Sequence, residues 1–400
     1  MAGRPARAGP TGEVTMGSLD SFRADVREWL AANCPEDVRV GTRDRLSRER
    51  FDAWLRTLAT RGWAAPGWPT EYGGGGLDRE HQAVLAQEMR AIRAPAPGGF
   101  GLNMLGPTLL ELGTEEQKAR HLPPICRHEL IWCQGYSEPG AGSDLASLQT
   151  RAVREGDEYV VTGQKIRTTG APHADWMFCL VRTDPDAPKH EGISFLLFPM
   201  KQPGVRVAPI RLIDGSEHFA QVFLDGVRAR ADDVIGPVNG GWGVAKRLLQ
   251  HERGIANPEA RTAGTGRKKG LVDLAREQLG ERDGKLADPA LRERIAQFEL
   301  DSQAFGLTMK RAAEEARAGQ TERQIAMMSK FLWSELGKRE QELAVQLLGA
   351  RGLGWSGDGF EKSELARTRR WLITRADSIW GGTSEIQRNI IAKRVLMIPE

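Results

Sequence analysis

The chain has 400 residues, of which 40% are hydrophobic and 27% charged, and its 56 Lys and Arg against 53 Asp and Glu leave a formal charge of only +3. That length exceeds what one hydrophobic core usually serves, and the composition is that of a globular protein rather than a disordered or fibrous one. No apolar run approaches the roughly 18 residues of a membrane span, the basic residues are scattered among acids and give no support to a nucleic-acid surface, and four distant cysteines (Cys34, Cys126, Cys133, Cys179) without a CxxC pair make neither a zinc cage nor a disulfide framework and suit a reducing cytoplasm.

Residues 1–18 are rich in Gly, Pro and Ala and lack the apolar core of a secretion signal, so they read as a flexible tail in which Met16 is an alternative start. Residues 19–129 follow a helical period: Phe22, Val26, Trp29 and Leu30 share one face, a second stripe runs from Phe51 to Leu58, and breakers stand at Gly73–Gly76 and Pro95–Gly99. Over 130–238 the period shortens to that of strands, at 158–163 (EYVVTG), 176–182 (WMFCLVR), 193–198 (ISFLLF) and 218–224 (HFAQVFL). Helical patterning returns over 239–400, most clearly from Ile325 to Leu348, where Gly349 stands as a C-cap. The expected fold class is α+β: an N-terminal helical domain, a central β-barrel-like domain and a C-terminal helical bundle, with no internal repeat.

Common catalytic signatures are missing. There is no GxGxxG after a strand, no GxxxxGK[ST] and no GxSxG, and His251-Glu252 opens a zincin-like helix without its second histidine, so no metal site is expected. Two glycine-hydroxyl turns carry the signal instead. Tyr136-Ser137-Glu138-Pro139-Gly140-Ala141-Gly142-Ser143-Asp144 precedes, by one strand, Gly163-Gln164-Lys165-Ile166-Arg167-Thr168-Thr169-Gly170-Ala171. Hydroxyls and free backbone N–H groups at the rim of a β domain suit a polar ring or a phosphate. Near the C-terminus, Gly381-Gly382-Thr383-Ser384 leads into a helix expected over Glu385–Leu396, with Thr383 or Ser384 as N-cap and Ser384 with Gln387 spaced as a capping box. Such a helix start attracts phosphate, although turns of this kind taken singly are more often structural.

Together, SEPGAGSD, GQKIRTTGAPHADW, QLLGARG (346–352) and IWGGTSEIQRNIIAKRVL (379–396) resemble the acyl-CoA dehydrogenase family over nearly the whole chain and in the family's order. The resemblance implies an FAD enzyme that desaturates an acyl-CoA or other acyl thioester: hydrogen bonds polarise the thioester oxygen, a carboxylate takes the α-proton, and the β-hydride passes to the flavin. It places Tyr136 and Ser137 against the flavin pyrimidine, Ser143 near cofactor or CoA phosphates, and Thr168 and Thr169 at the flavin edge. Gln346, Gly349 and Thr383 would hold FAD phosphates and adenosine, partly across a dimer interface. Electron-transfer flavoprotein would be the acceptor, and the assembly a homodimer or homotetramer.

Three departures from the family's pattern qualify this. Where many members carry a basic Glu, this chain has Gly381, which offers only its backbone N–H to the thioester oxygen; Glu252-Arg253 stands at the family's alternative Glu-Arg position, making Glu252 the candidate base and Arg253 a substrate contact. Arg167 replaces a usual aromatic residue beside the flavin, where its guanidinium can stack and adds positive charge. The family's Arg-x-x-Phe-Gly stretch is not found after Glu252, with Arg261 or Arg267 as candidate substitutes. A diverted oxidase or hydroxylase, or a non-catalytic subunit of a hetero-oligomer, are therefore the alternatives.

Overall fold

The computed structural model describes residues 18–41, 46–255, 270–318 and 324–399, without the side chains of 252–255, 316–317 and 324–326. The expected tail lies outside these residues except for Ser18, whose Oγ accepts from Ser21 N–H and caps the first helix. Arg261 and Arg267 also lie outside them.

The chain divides into two compact units, residues 1–97 with 126–128 and residues 98–125 with 129–400. In the first, helices α1 (Leu19–Asn33), α2 (Arg48–Ala59) and α3 (Arg79–Ala91) bury the expected stripes. Val26 and Leu30 of α1, and Phe51, Trp54, Leu55 and Leu58 of α2, are all but inaccessible. Phe22 and Trp29 sit at the edge of that stripe, each with its ring edge-on to Trp63. The buried Glu88 of α3 receives Arg23 at 2.5 Å and Arg27 at 2.7 Å from α1, so an ion-pair triad joins the two helices. The Gly73–Gly76 breaker is a close backbone crossing: a Cβ on Gly74 would stand 2.3 Å from Trp68 O.

The second unit holds α4 (Gly106–Leu112) and α5 (Glu115–Cys126) up to Ile125, then strands β1 (Trp132–Gly135), β2 (Arg151–Glu155), β3 (Glu158–Thr169), β4 (Trp176–Arg182), β5 (Ile193–Pro199), β6 (Val205–Ile210), β7 (Phe219–Arg230) and β8 (Val234–Ile235). These form one eight-stranded sheet in the order β6-β7-β3-β2-β4-β5-β8, with β1 also paired to β4. All pairings are antiparallel except β1–β4 and β2–β4. Although β3, β2 and β4 separate them in the order, β5 packs against β7, so the sheet curls around a core of Val161, Met177, Phe198, Val222 and their neighbours. This is the barrel-like domain expected, with β3 and β7 each running farther than the alternation indicated.

Helices α6 (Gly241–Ile255), α7 (Leu271–Leu279), α8 (Pro289–Arg317), α9 (Gln324–Leu348), α10 (Lys362–Asp377) and α11 (Ser384–Arg394) follow. Helix α9 is the axis of the bundle, packing against α7, α8, α10 and α11. It ends where expected, at Gly349 in the left-handed conformation (φ 55°). A small hairpin, β9 (Glu281–Arg282) with β10 (Lys285–Leu286), was not expected; Asp283 and Gly284 form its turn with φ of 53° and 68°. Among the described residues no helix is long and apolar enough to cross a membrane.

Candidate active site

The first glycine-hydroxyl turn closes on itself directly after β1. Glu138 N–H donates to Ala141 O at 3.0 Å and Ala141 N–H returns to Glu138 O at 3.1 Å, while Ile166 N–H donates to Ser137 O at 2.8 Å and stitches the turn to β3. Beneath it lies a buried charge pair that the motif hid. Lys165, fully buried in mid-strand, places Nζ 2.7 Å from Glu138 Oε1 and also donates to Tyr136 O at 3.2 Å and Leu180 O at 2.8 Å. Glu138 further accepts from the N–H groups of Gln149 and Thr150 at 2.6 and 2.9 Å. Burial pushes the Glu138 pKa up, but the Lys165 charge and these hydrogen bonds outweigh it and hold the carboxyl below its ordinary range. Both partners are thus satisfied, as a buried pair must be to persist.

Around this clamp the expected site residues fall in different environments. The Tyr136 ring is buried, edge-on to Phe178 and Phe195, which stack on each other. Ser137 is half-buried and Ser143 exposed. A bulge in the β3–β7 ladder between Lys165 and Thr168 sets the next residues: Arg167 is exposed with φ 57°, a conformation uncommon for a residue with a side chain. Its guanidinium lies over the first turn, since a Cβ on Gly142 would come within 2.9 Å of Arg167 Nη2. Thr168 is turned inward, 1% exposed, and its Oγ1 has no hydrogen-bond partner among the described residues. Thr169 is half-buried at the strand end, paired in register with Phe219.

The second turn is built by backbone. Gly381 and Gly382 adopt φ of 63° and 91°, and their carbonyls are held from outside the turn. Gln387 Nε2 donates to Gly381 O at 3.0 Å and Lys330 Nζ donates to Gly382 O at 2.7 Å. Thr383 is the N-cap of α11, its Oγ1 accepting from Ile386 N–H at 3.3 Å. The expected Ser384–Gln387 capping box does not form: Ser384 Oγ donates to Glu335 at 3.0 Å and Gln387 turns back to Gly381, because the helix begins one residue earlier than the box requires. The helix accordingly covers Ser384–Arg394 rather than 385–396.

One aromatic contact joins the two halves. Trp380, just before Gly381, meets Phe219 edge-on at 5.7 Å, and Phe219 is the cross-strand partner of Thr169. Thr168, Thr169 and the Gly381–Thr383 turn therefore occupy one neighbourhood. Gln346 and Gly349 do not share it. Gln346 follows Lys330 on α9 by 16 residues (346 − 330), an axial separation of about 24 Å. Gln346 is exposed there and accepts from Arg294 at 2.6 Å, beside a cavity of about 320 Å³ lined by Arg294, Lys338, Arg339, Glu342 and Arg375.

The side chains of Glu252 and Arg253 lie outside the described residues; their helix, α6, does not. The preceding His251 stands 3.4 Å from Glu111 of α4, which also pairs with Arg247, and burial first of all pulls the His251 pKa down. A flavin nucleotide fits what is described. Thr168 carries a buried hydroxyl without a hydrogen-bond partner among the described residues, and no backbone acceptor among them meets the N–H groups of Gly382 and Thr383, so both turns offer donors to a polar cofactor.

Three family descriptions match the chain: acyl-CoA dehydrogenase N-terminal domain over residues 18–129, middle domain over 133–227 and C-terminal domain over 239–396. The curated protein "Acyl-CoA dehydrogenase IpdE1" of Mycobacterium tuberculosis is 38% identical over 394 residues, covering 96% of this chain and 99% of its own. Among solved structures, "Tcur3481-Tcur3483 steroid ACAD" matches with a TM-score of 0.74 at 33% identity, covering 96% of this chain and 98% of its own. The ChsE4-ChsE5 complex from Mycobacterium tuberculosis matches with a TM-score of 0.74 at 29% identity, covering 97% and 100%. The chain belongs to the acyl-CoA dehydrogenase family; it is an FAD-dependent oxidoreductase acting on CH–CH bonds.

Proposed function

We propose that this acyl-CoA dehydrogenase desaturates a bulky, ring-bearing acyl-CoA between its α and β carbons and passes the electrons to an electron-transfer flavoprotein. The observation that supports the reading is the Phe219–Trp380 contact, which links the strand end carrying Thr168 and Thr169 to the Gly381–Thr383 turn. The ring-bearing substrate class is taken from the steroid enzyme named among the solved structures.

FAD, when bound, supplies the acceptor for the hydride leaving the β carbon. The protein supplies the rest. Thr168 and Thr169 donate to the cofactor edge, with Ser137 and the backbone of Tyr136 at the adjoining turn. Ser143 and Arg253 serve the anionic part of the substrate, and the Arg167 guanidinium sets a positive charge over the Gly140–Gly142 turn. Gly381 N–H polarises the thioester oxygen, which acidifies the α C–H, and Glu252 takes the proton.

Gln346 and Gly349 belong to a different cofactor. With Gln346 about 24 Å along α9 from the Lys330–Gly382 contact and Gly349 just past the helix end, they suit the FAD of a neighbouring subunit, so the working unit is at least a dimer. Two of the structural relatives carry two component names in their titles, which favours a partner of related but different sequence over a second copy of this chain.

Anaerobic titration of the purified protein with acyl-CoA thioesters of increasing ring content tests this. The expected result is stoichiometric bleaching of the flavin band by ring-bearing substrates and little by short linear ones. Rapid aerobic reoxidation with peroxide release would instead favour an oxidase.

A further inference from the structure

We infer that Lys330 and Gln387 are positioning residues that hold the Gly381–Gly382 turn open for an anion, specifically a phosphate of the FAD. The inference rests on the FAD placement proposed above and adds two residues to it.

Two consecutive glycines without side chains are the most mobile dipeptide a chain can make, and a turn made of them needs its conformation imposed from elsewhere. Here both carbonyls are held by side chains. Gln387, one turn into α11, donates to Gly381 O at 3.0 Å; Lys330, arriving from α9, donates to Gly382 O at 2.7 Å. No peptide bond among the described residues is cis, so the N–H of each peptide points opposite to its carbonyl. Fixing Gly381 O therefore turns Gly382 N–H away from Gln387, and fixing Gly382 O turns Thr383 N–H away from Lys330. Neither N–H meets a backbone acceptor among the described residues. The two donors are successive, preorganised and set at the start of α11, where the helix dipole adds to their attraction for negative charge.

The Lys330 ammonium is built for this task. It is half-buried and faces Asp377 of α10, Glu335 of its own helix and Glu385 of α11, with Lys338 as the opposing cation. Gln387 is 6% exposed. Its amide would clash with any Cβ on Gly382, at 2.7 Å, so the close fit needs glycine at that position. An acid at 381, the family's usual residue there, would come beside the same ammonium, because a Cβ on Gly381 lies 3.8 Å from Lys330 Cε.

Hydrogen–deuterium exchange of the peptide spanning 379–388, read by mass spectrometry in the apoprotein and after FAD addition, tests the inference with Lys330→Met, Lys330→Arg and Gln387→Leu variants. The expected result is exchange about tenfold faster at this peptide in Lys330→Met and Gln387→Leu apoprotein, the scale set by losing a charged or buried hydrogen bond, with rescue by Lys330→Arg. FAD should protect the peptide in the parent and in Lys330→Arg, and much less in the other two. Unchanged exchange in both Lys330→Met and Gln387→Leu overturns the inference, as does a rise spread evenly along α9 that Lys330→Arg fails to rescue. Parent protein that takes up no FAD while its variants still show the local loosening would count against the FAD reading and leave the clamp standing as a backbone device without its proposed ligand, which also overturns the phosphate role.

Discussion

Lys165 Nζ lies 2.7 Å from Glu138 Oε1 with 0% and 7% of their side-chain surfaces exposed. This pair holds the SEPGA turn to the strand that carries Arg167, Thr168 and Thr169. The ammonium also donates to Tyr136 O and to Leu180 O of β4, and the carboxylate accepts from two backbone N–H groups on the β2 side, so four chain segments meet at one pair of charges.

Breaking the pair from one side should be far worse than removing it. Lys165→Met leaves Glu138 buried without its cation, a loss of about 3–5 kcal/mol. The double replacement Lys165→Met with Glu138→Leu should recover much of that, because the stranded charge is gone. Denaturant unfolding of the two single variants and the double variant checks this; equal losses in single and double variants would show that the lost hydrogen bonds, not the lone charge, dominate.

Acid should attack the same place. The folded-state pKa of Glu138 is depressed below its ordinary 4.5: burial opposes ionisation, but the Lys165 charge and the hydrogen bonds overcome it. A depressed carboxyl contributes stability that is fully present above the ordinary value and is lost as pH falls through the folded one. Thermal unfolding followed downward through that window should show a fall that Glu138→Gln flattens, since its amide no longer titrates. A parent and variant with parallel pH profiles would place the acid sensitivity in other carboxyls.

Much of this frame was legible from residue pattern, and the exceptions have physical causes. The α9 end at Gly349 was legible because a left-handed C-cap nearly demands glycine. Strand β3 read only to 163, since the bulge at Lys165–Thr168 breaks the period-2 alternation, and a buried Lys in mid-strand imitates an outward one. The β9–β10 hairpin carried an Asp-Gly turn signal too short to stand out between helices. Lys330 was out of reach: its acceptor is 52 residues away and is a backbone oxygen, which leaves no mark on composition or spacing.

Thr168 tests the cleft without any substrate. Its buried hydroxyl has no partner among the described residues, and an unsatisfied buried polar group costs about 1–3 kcal/mol. Thr168→Val should therefore leave the apoprotein as stable as the parent or more so, yet lower FAD affinity if the hydroxyl finds its partner in the cofactor as proposed. Thermal midpoints with and without FAD separate the two effects. A variant destabilised equally in both states would mean that the hydroxyl serves the fold.

Restoring an acid at position 381 should not restore a base there. Gly381 has φ 63°, and a side chain in that conformation costs about 1–2 kcal/mol. The new carboxylate would also stand beside Lys330, whose Cε is 3.8 Å from the Cβ position, and an opposite charge at such range favours the ionised form and weakens it as a proton acceptor. Gly381→Glu in a Glu252→Gln background should thus bleach flavin no faster than Glu252→Gln alone. Recovery of the parental rate would move the base to 381.

Glu252 itself is the last test, and it follows from subtraction as much as from the family pattern. A thioester-activated α C–H remains a weak acid, so some carboxylate must reach it, and Gly381 has none. Glu252 lies on α6 directly after His251, whose own pKa is pulled down chiefly by burial and which stands 3.4 Å from Glu111. An apolar acyl chain bound nearby would desolvate the carboxylate and raise its pKa toward the working pH, where a general base is most effective. Glu252→Gln keeps the size and hydrogen bonding of the side chain and removes only its basicity. Substrate binding should survive, while anaerobic flavin bleaching should slow by roughly a hundred- to ten-thousand-fold, the range general bases supply. Bleaching at the parental rate would mean that the base lies elsewhere and would favour a diverted reaction over α,β-desaturation.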